Sequence, residues 1–288
     1  MEEACSSPKQ PVKFALVDAF TNVAFRGNPA AVCVLEEERE SKWMQDVAIE
    51  INTPMASFLY PTKHSKSRNE FHIRWFTIAQ EVELCGHATL AAAYFLFSTG
   101  LEGDEITFHG KSGILVVKKV ESTQGGNFEI QLDFPALTVG ECGEEEIPLL
   151  PETLNGASMT SVKKTSAGDL LVELSSVKDL MNLRPQFDEI RKCKGRGVIV
   201  TALAPIETGY DFLSRFFCPK VGVNEDHVCG AAHCVLTPYY SEKLKKDNFI
   251  AYMASERGGK LVIEYKKDAN RVIIRGEAII VMMGTLLV

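Results

Sequence analysis

LCGHATL, residues 84–90, has a counterpart in VCGAAHC, residues 228–234, half a chain further on. Both stretches place a hydrophobic residue before Cys-Gly and then open an apolar run of small residues. Each follows an aromatic stretch led by arginine, Arg74-Trp-Phe-Thr in the first copy and Arg215-Phe-Phe-Cys in the second. Internal similarity of this kind predicts that one supersecondary unit is built twice.

The overall composition favours a globular protein. The chain has 288 residues, 45% hydrophobic and 24% charged, which suits one large or two medium domains. The net charge of −7 and the pI near 5.5 argue against nucleic acid or an anionic membrane surface as a partner. The first ten residues contain two acids and no apolar core, and no apolar run approaches the ~20 residues of a membrane helix. We therefore expect a cytoplasmic protein.

The cysteines predict reduced thiols. They show no Cys-x-x-Cys pair, and the sequence offers no secretory context, so a disulfide framework is not expected. Burial leaves most thiols inert, so an ordinary structural role is the default for each. The eight are Cys5, Cys33, Cys85, Cys142, Cys193, Cys218, Cys229 and Cys234.

Short runs rich in β-branched and aromatic residues divide the chain into two β-rich halves. A Pro-, Gly- and acid-rich stretch at 135–152 predicts the crossing between them. We expect one domain over 12–134, a second over 150–276, and a last strand at 277–288 that returns to the first. Apolar spacing predicts a helix over 41–51.

Each Cys-Gly corner is expected to begin a helix sunk inside its half. Ala88 to Phe97 is apolar nearly all round, which indicates a buried helix, and a second helix from Ala231 is expected to be limited or bent at Pro238. A helix N-terminus offers unpaired N–H groups and about half a positive charge, which favour a carboxylate or a thiolate. Gly86 and Gly230 would allow a ligand close approach.

Two such corners facing each other across a cleft predict one site for a small carboxylic acid. Amides from both helices would hold the acid, and its α-carbon would have one proton-handling group on each side. The negative charge that develops when the α-proton leaves would meet preorganised N–H donors. The repeat would thus supply two half-sites of one active site.

Three stretches together resemble the phenazine-biosynthesis PhzF-like family. They are DAFTNVAFRGNPAAV (18–32), RWFTIAQEVELCGHATLAAA (74–93) and NEDHVCGAAH (224–233). The wider superfamily includes diaminopimelate epimerases and proline racemases. The resemblance implies an α/β (α+β) fold of the diaminopimelate-epimerase type, with two pseudo-symmetric domains, each a β-roll or barrel around a central helix. It also implies cofactor-independent isomerisation by proton transfer between the domains, and a homodimer.

The sequence departs from the family where the chemistry lies. The family's acid/base glutamate falls in a stretch resembling E-x-N-L-S-E-x-x-F, which here reads EINTPMASF (50–58) and places Met55 at the glutamate. The second motif resembles E-D-x-x-T-G-S-A, and here the threonine is Cys229 and the serine is Ala231. Methionine cannot move a proton, so three hypotheses remain open. They are proton transfer by other groups, a two-thiol racemase or epimerase, and a binding or scaffold protein without activity.

The candidate residues follow from these matches. The catalytic set is Cys85, Cys229, His87 and Asp226, and the substrate-binding set is Gly86, Gly230, Asn28 and Ala231. In the superfamily's thiol racemases, two cysteines occupy these corresponding corners. Asp226 also suits a helix cap and Asn28 a turn before proline. His227, Cys229, His233 and Cys234 leave a zinc site open as a weaker alternative, but we expect no metal and no cofactor.

Overall fold

The structure, a computed structural model, describes residues 11–62, 68–122, 128–143 and 150–287. The first half contains the following elements: β1 (Val12–Ala19), β2 (Asn28–Val34), α1 (Ser41–Ile51), β3 (Ala56–Pro61), β4 (Glu70–Phe76), β5 (Glu81–Val82), α2 (Gly86–Ser98), β6 (Glu105–Gly110), β7 (Gly113–Val120) and β8 (Glu129–Pro135). The second half contains the following: β9 (Val139–Glu141), α3 (Leu150–Thr153), β10 (Met159–Thr165), β11 (Leu170–Leu174), α4 (Val177–Asn182), α5 (Phe187–Ile190), β12 (Val198–Leu203), β13 (Phe212–Cys218), β14 (Val223–Asp226), α6 (Gly230–Leu244), β15 (Asn248–Met253), β16 (Gly259–Lys266), β17 (Arg271–Gly276) and β18 (Ala278–Leu286).

The same pairing pattern occurs in both halves. In the first, β1 pairs antiparallel with β2, β2 parallel with β3, β3 antiparallel with β4, β4 parallel with β6, and β6–β7–β8 run antiparallel. In the second, β10 to β13 and then β15 to β17 repeat this order and these directions. Short strands β5 and β14 each pair antiparallel with the strand that precedes them. The internal repeat seen in the sequence thus extends to the strand pairing.

Hydrogen bonds join the halves into one 18-stranded sheet among the described residues. Strand β8 pairs antiparallel with β17, which links the two repeats edge to edge. The last strand, β18, lies antiparallel along β1 from Ala278 to Leu286. The β8–β17 and β1–β18 pairings therefore fix the position of one repeat against the other.

Helix α2 is the centre of the first half. Ten of its side chains are buried, from His87 to Phe97, and it contacts β1, β2, β3 and β8. An all-round apolar helix has no polar face to turn to water, so the surrounding sheet must enclose it. Helix α6 contacts β16 and β17 in the second half, and buried residues of both helices belong to one continuous hydrophobic core.

Of the two outcomes expected at Pro238, a helix limited there or a helix bent there, the first is wrong, because α6 runs on to Leu244. Proline lacks the N–H that would bond to the carbonyl of Cys234, one turn earlier. That carbonyl accepts a hydrogen bond from the Leu137 backbone N–H at 2.9 Å instead. The segment between the halves therefore satisfies the group that proline leaves open.

Strands β6 and β15 each follow the central helix of their repeat, and they pair parallel with β4 and β13 respectively. Within the described ranges, every helix is too short or too polar to cross a membrane.

Candidate active site

The first Cys-Gly corner is held by an ion pair beneath it. The Arg74 guanidinium donates from Nε and Nη2 to the Glu81 carboxylate at 2.8 and 2.9 Å, which fastens β5 to β4. Cys85 lies three residues after Val82, the end of β5. Its extended φ of −143° and ψ of 108° make it the N-cap of α2. Helical residues begin at Gly86.

The second corner repeats this construction. Arg215 Nε and Nη2 donate to the Glu225 carboxylate at 2.7 and 2.8 Å, and this pair fastens β14 to β13. Cys229 is the N-cap of α6 with φ −107° and ψ 107°, and Gly230 is the first helical residue. The same side-chain pair therefore positions a cysteine at a helix start in each half.

The two corners meet. A Cβ built on Gly86 would lie 4.0 Å from the Cα of Gly230, so the first turns of α2 and α6 are in contact. The corners face a cavity of ≈ 300 Å³ between the halves. The cavity is lined by Asn28, Pro54, Met55, Thr77, Gln80, Val82, Leu84, Cys85, Gly86, His87, Arg196, Phe216, Cys218, Val221, Val223, Asp226, His227, Cys229, Gly230 and Ala231.

Every residue predicted for the site lines this cavity. A larger depression of ≈ 590 Å³, between the loop that follows β1 and strands β16 and β17, contains none of them. The smaller cavity, unlike the larger one, brings together both helix starts. We therefore take the smaller cavity as the candidate active site.

Asn28 and Asp226 bind each other across the halves. The Asn28 Nδ2 donates to Asp226 Oδ1 at 2.7 Å and to the Val228 carbonyl at 3.0 Å. Asn28 is thus more than a turn residue, since its side chain fixes the segment that carries Cys229. The Asp226 carboxylate bonds to Asn28 rather than capping α6.

Three polar atoms of cavity residues have no hydrogen-bond partner among the described residues. They are Asn28 Oδ1, His87 Nε2 and His227 Nδ1, all buried from solvent. Buried polar atoms are nearly always paired in folded proteins, because leaving one unpaired costs about 1–3 kcal/mol. These three atoms therefore need partners that the described residues do not supply.

Burial shifts the ionisation of the candidate catalytic groups. It raises the pKa of the Cys85 thiol to about 12, although the Ala88 backbone amide acts in the opposite direction. Burial also raises the pKa of Cys229 well above its ordinary value, and the nearby Asp226 charge adds to this effect. The pKa of His87 is lowered to about 4, again chiefly by burial. At neutral pH both thiols are therefore protonated and the imidazole is neutral.

Cys85 and His87 contact each other at the first corner. Cys85 Sγ lies 3.3 Å from His87 Nδ1. The neutral ring carries one proton, so either the thiol donates to Nδ1 or Nδ1 donates to the sulfur. His87 Nε2 is buried and has no hydrogen-bond partner among the described residues.

Comparison with known proteins identifies the family. The family model for phenazine biosynthesis-like proteins, PhzC-PhzF, matches residues 17–284. The chain belongs to the PhzC-PhzF family. An "uncharacterized isomerase" of Halalkalibacterium halodurans is 44% identical, and the match covers 94% of this chain and 97% of that protein.

Solved structures agree with this assignment. A PhzF-family protein from Enterococcus faecalis superposes with a TM-score of 0.86 at 36% identity, covering 96% of this chain and 99% of that one. A hydroxyproline epimerase from Agrobacterium vitis, with bound trans-4-hydroxy-L-proline, has the same fold at a TM-score of 0.62 and 9% identity, over 96% of this chain and 93% of that one. The predicted family and the epimerase-like α/β fold are confirmed.

Met55 and Ala231, which the resemblance places at the family's glutamate and serine, both line the cavity. The Met55 side chain is buried, and Met55 is the last residue before β3. Both positions at which the sequence is expected to depart from the family therefore belong to one site.

The histidine and cysteine residues considered as zinc ligands make other contacts in the structure. His233 Nδ1 lies 2.7 Å from the Cys229 carbonyl, which can only accept, and its Nε2 lies 3.4 Å from the Ser214 hydroxyl. Cys234 is buried in the core. In the part of the chain that the structure describes, no three His, Cys, Asp or Glu side chains could hold a metal ion.

Sequence motifs assigned no site role to Arg196 or Cys218, which also line the cavity. Cys218 ends β13, the strand that leads to the second corner. Arg196 lies in the loop before β12, outside the three stretches that resemble the family. Its side chain and backbone bind Asp169, 27 residues earlier in the chain, so no local pattern could have revealed its position.

Proposed function

We propose that this protein is a cofactor-independent isomerase that moves a proton on a small carboxylic acid bound between its two helix starts. The observation that carries the proposal is the meeting of Gly86 and Gly230, each followed by a helix and preceded by a cysteine, at one cavity. Relatives named as isomerases and an epimerase neighbour that holds a small acid agree with this reading.

The carboxylate would lie against the first turns of α2 and α6. The leading N–H groups of a helix have no partner within it, and the helix dipole adds partial positive charge there. Glycine at both first positions leaves room for an oxygen to reach these amides. His87 Nε2 and Asn28 Oδ1, which have no partner among the described residues, would orient the rest of the molecule.

Cys85 and Cys229 would transfer the proton. In this mechanism one thiolate removes the proton from the α-carbon, and the other thiol returns a proton to the opposite face or to a neighbouring carbon. The electron pair that is left spreads into the carboxylate, where the helix amides stabilise it. His87 holds Cys85 through the 3.3 Å contact, and Asp226, fixed by Asn28, positions the second corner.

Exchange of the α-proton tests this proposal. The protein is incubated in D2O with small amino and hydroxy acids, and loss of the α-proton signal is followed by NMR. We expect exchange in the wild type and a fall of at least about 100-fold in Cys85→Ser and in Cys229→Ser, since proton transfer by a positioned group contributes 10²–10⁴-fold. Cys234→Ser, on α6 but outside the cavity lining, is the matched control and should retain exchange.

A binding or scaffold function is the second candidate. Two observations favour it: burial keeps both thiols protonated, and Met55 and Ala231 replace polar positions of the family pattern. Binding of a small acid without exchange in any variant would support this function over the isomerase. The two-domain division and the homodimer expected from the family stay predictions, and sedimentation velocity measures the latter.

A further inference from the structure

Arg196 is the single Lys or Arg among the described residues that line the candidate active site. The site's histidines do not share its charge, because burial lowers the pKa values of His87 and His227. A fixed positive charge in a site proposed for an acid requires an explanation. No motif of the sequence and no comparison assigns Arg196 a role.

Hydrogen bonds to Asp169 hold the Arg196 side chain in place. Its Nε and Nη2 donate to the Asp169 Oδ2 at 3.1 and 2.5 Å, and its backbone N–H donates to Asp169 Oδ1 at 2.8 Å. Asp169 is fully buried, and the Thr165 hydroxyl accepts its backbone N–H at 3.0 Å. The guanidinium carbon also lies 5.9 Å from the centre of the Phe216 ring, which lines the cavity.

The loop that carries Arg196 can pack against the turn before Asp169 only because it contains Gly195. Gly195 has φ +74°, and a Cβ there would lie 2.1 Å from the Gly168 carbonyl oxygen, far inside contact distance. Glycine avoids both the strained backbone and this collision. The turn that presents Asp169 and the loop that presents Arg196 are thus packed backbone to backbone.

One edge of the Arg196 guanidinium makes no hydrogen bond to the described residues. An arginine has five N–H donors, and Asp169 uses those on Nε and Nη2. Among the described residues, Nη1 has no hydrogen-bond partner, and 47% of the side chain is exposed. The charge lies close enough to Cys229 to oppose the effect of burial on that thiol's pKa. A donor held in place and left unfilled at a cavity is suited to bind a ligand anion.

We propose that Arg196 binds a second anionic group of the substrate, so that the acid processed here is a small dicarboxylic acid. This inference rests on the proposed function, which places the first carboxylate at the two helix starts. The second carboxylate would accept a hydrogen bond from Nη1, while Asp169 keeps the guanidinium oriented. Arg196 is then the residue that determines specificity between dicarboxylic and monocarboxylic acids.

Succinate and butyrate, which both have four carbons, test the proposal by calorimetry on the whole chain. We expect the wild type to bind succinate at least about tenfold more tightly, because a charge-assisted hydrogen bond is worth a factor of roughly 10–100. Arg196→Gln should remove most of that difference, because it weakens the binding of succinate more than that of butyrate. Arg191→Gln, which changes an exposed arginine paired with Asp188 in the same loop, is the matched control and should match wild type.

Two further measurements separate the possible failures. Arg196→Lys keeps the charge without the planar fork, so we expect it to recover little of the succinate affinity, and circular dichroism verifies that each variant is folded. Equal affinity of the wild type for both acids, or no measurable binding of succinate, would overturn the inference. Succinate selectivity with no α-proton exchange on aspartate would overturn the proposed isomerase alone. Equal exchange on aspartate and 2-aminobutyrate, unchanged in Arg196→Gln, would overturn the role of Arg196 alone.

Discussion

Met55 is the residue that the resemblance places at the family's acid/base glutamate. It is buried and lines the cavity together with both cysteines. If the thiols carry the chemistry, Met55→Glu introduces a negative charge that repels the substrate and disfavours thiolate formation. We expect α-proton exchange to fall at least about tenfold, with Met55→Gln, equal in size and uncharged, as the control. Faster exchange in Met55→Glu would mean that the glutamate is the only group missing for the family's acid/base chemistry.

The raised thiol pKa values predict the pH dependence of the reaction. The proton acceptor is a thiolate, whose fraction grows as pH rises, and a raised pKa moves its plateau to higher pH. Since burial raises the pKa of Cys85 from 9.0 to about 12, kcat/KM should still be rising at pH 9. Near neutrality it should increase about tenfold per pH unit. A plateau between pH 6 and 8 would assign the base to a different group.

At the scale of elements, the central feature is the contact between the first turns of α2 and α6. A Cβ at Gly86 would meet the Phe134 ring at 3.5 Å and the Gly230 Cα at 4.0 Å, which are ordinary contacts. Gly86→Ala should therefore change the free energy of unfolding by no more than about 1 kcal/mol. It should nevertheless weaken acid binding about tenfold, because a methyl between the two helix starts would crowd a carboxylate bound there.

Urea unfolding and calorimetry measure these two effects separately. Gly140→Ala is the control, because a Cβ there meets no atom within 4 Å and the residue lies in β9, outside the cavity lining. Unchanged acid affinity in Gly86→Ala would remove the helix starts from the binding site.

Local patterns account for the elements that the sequence could predict. Short β-branched and aromatic runs predicted the two β-rich halves, and the apolar stretch after Cys85 predicted α2. The run EITFHG in β6 opens with a charged residue and ends in glycine, so its strand state depends on pairing with β4 and β7. The course of α6 through Pro238 depends on a hydrogen bond from Leu137, which lies in a different part of the chain. Such long-range compensation leaves no local signal.

The residues of the candidate site also fall into two groups, those that local motifs predict and those that depend on long-range contacts. Repeated motifs marked both cysteines, both glycines and His87, because each lies directly at a helix start. Arg196 could not be predicted, since its place depends on a backbone packing between Gly195 and Gly168 that only the folded sheet creates. Motifs thus indicate the reacting groups, whereas the residue proposed to select the substrate emerges from tertiary structure.

For the whole molecule, an ion pair between Asp18 and Arg257 holds the halves together behind the site. Arg257 Nη2 donates to the nearly fully buried Asp18 at 2.7 Å, and Nε donates to the Gly27 carbonyl at 2.9 Å. Asp18 also accepts the backbone N–H of Phe25, whose φ of +68° is unusual for a bulky residue. Asn28, which bonds to Asp226, follows this loop directly.

Removing one member of this pair should destabilise the whole fold. Arg257→Gln leaves a buried carboxylate without its cation, and we expect the free energy of unfolding to fall by about 2–3 kcal/mol, less than for a fully buried pair because Arg257 is partly exposed. Urea unfolding of Asp18→Asn, Arg257→Gln and the double variant measures the coupling. Additive losses would show that the two side chains do not act together.

The central claim is that two repeats of one chain place their cysteines on opposite sides of a single bound acid. A crystal structure of the protein with a small dicarboxylic acid tests this directly. We predict carboxylate oxygens at the first amides of α2 and α6, and both Sγ atoms within about 3.5 Å of one carbon, on opposite faces. An acid bound away from the helix starts, or a cysteine sulfur turned away from that carbon, would contradict the account.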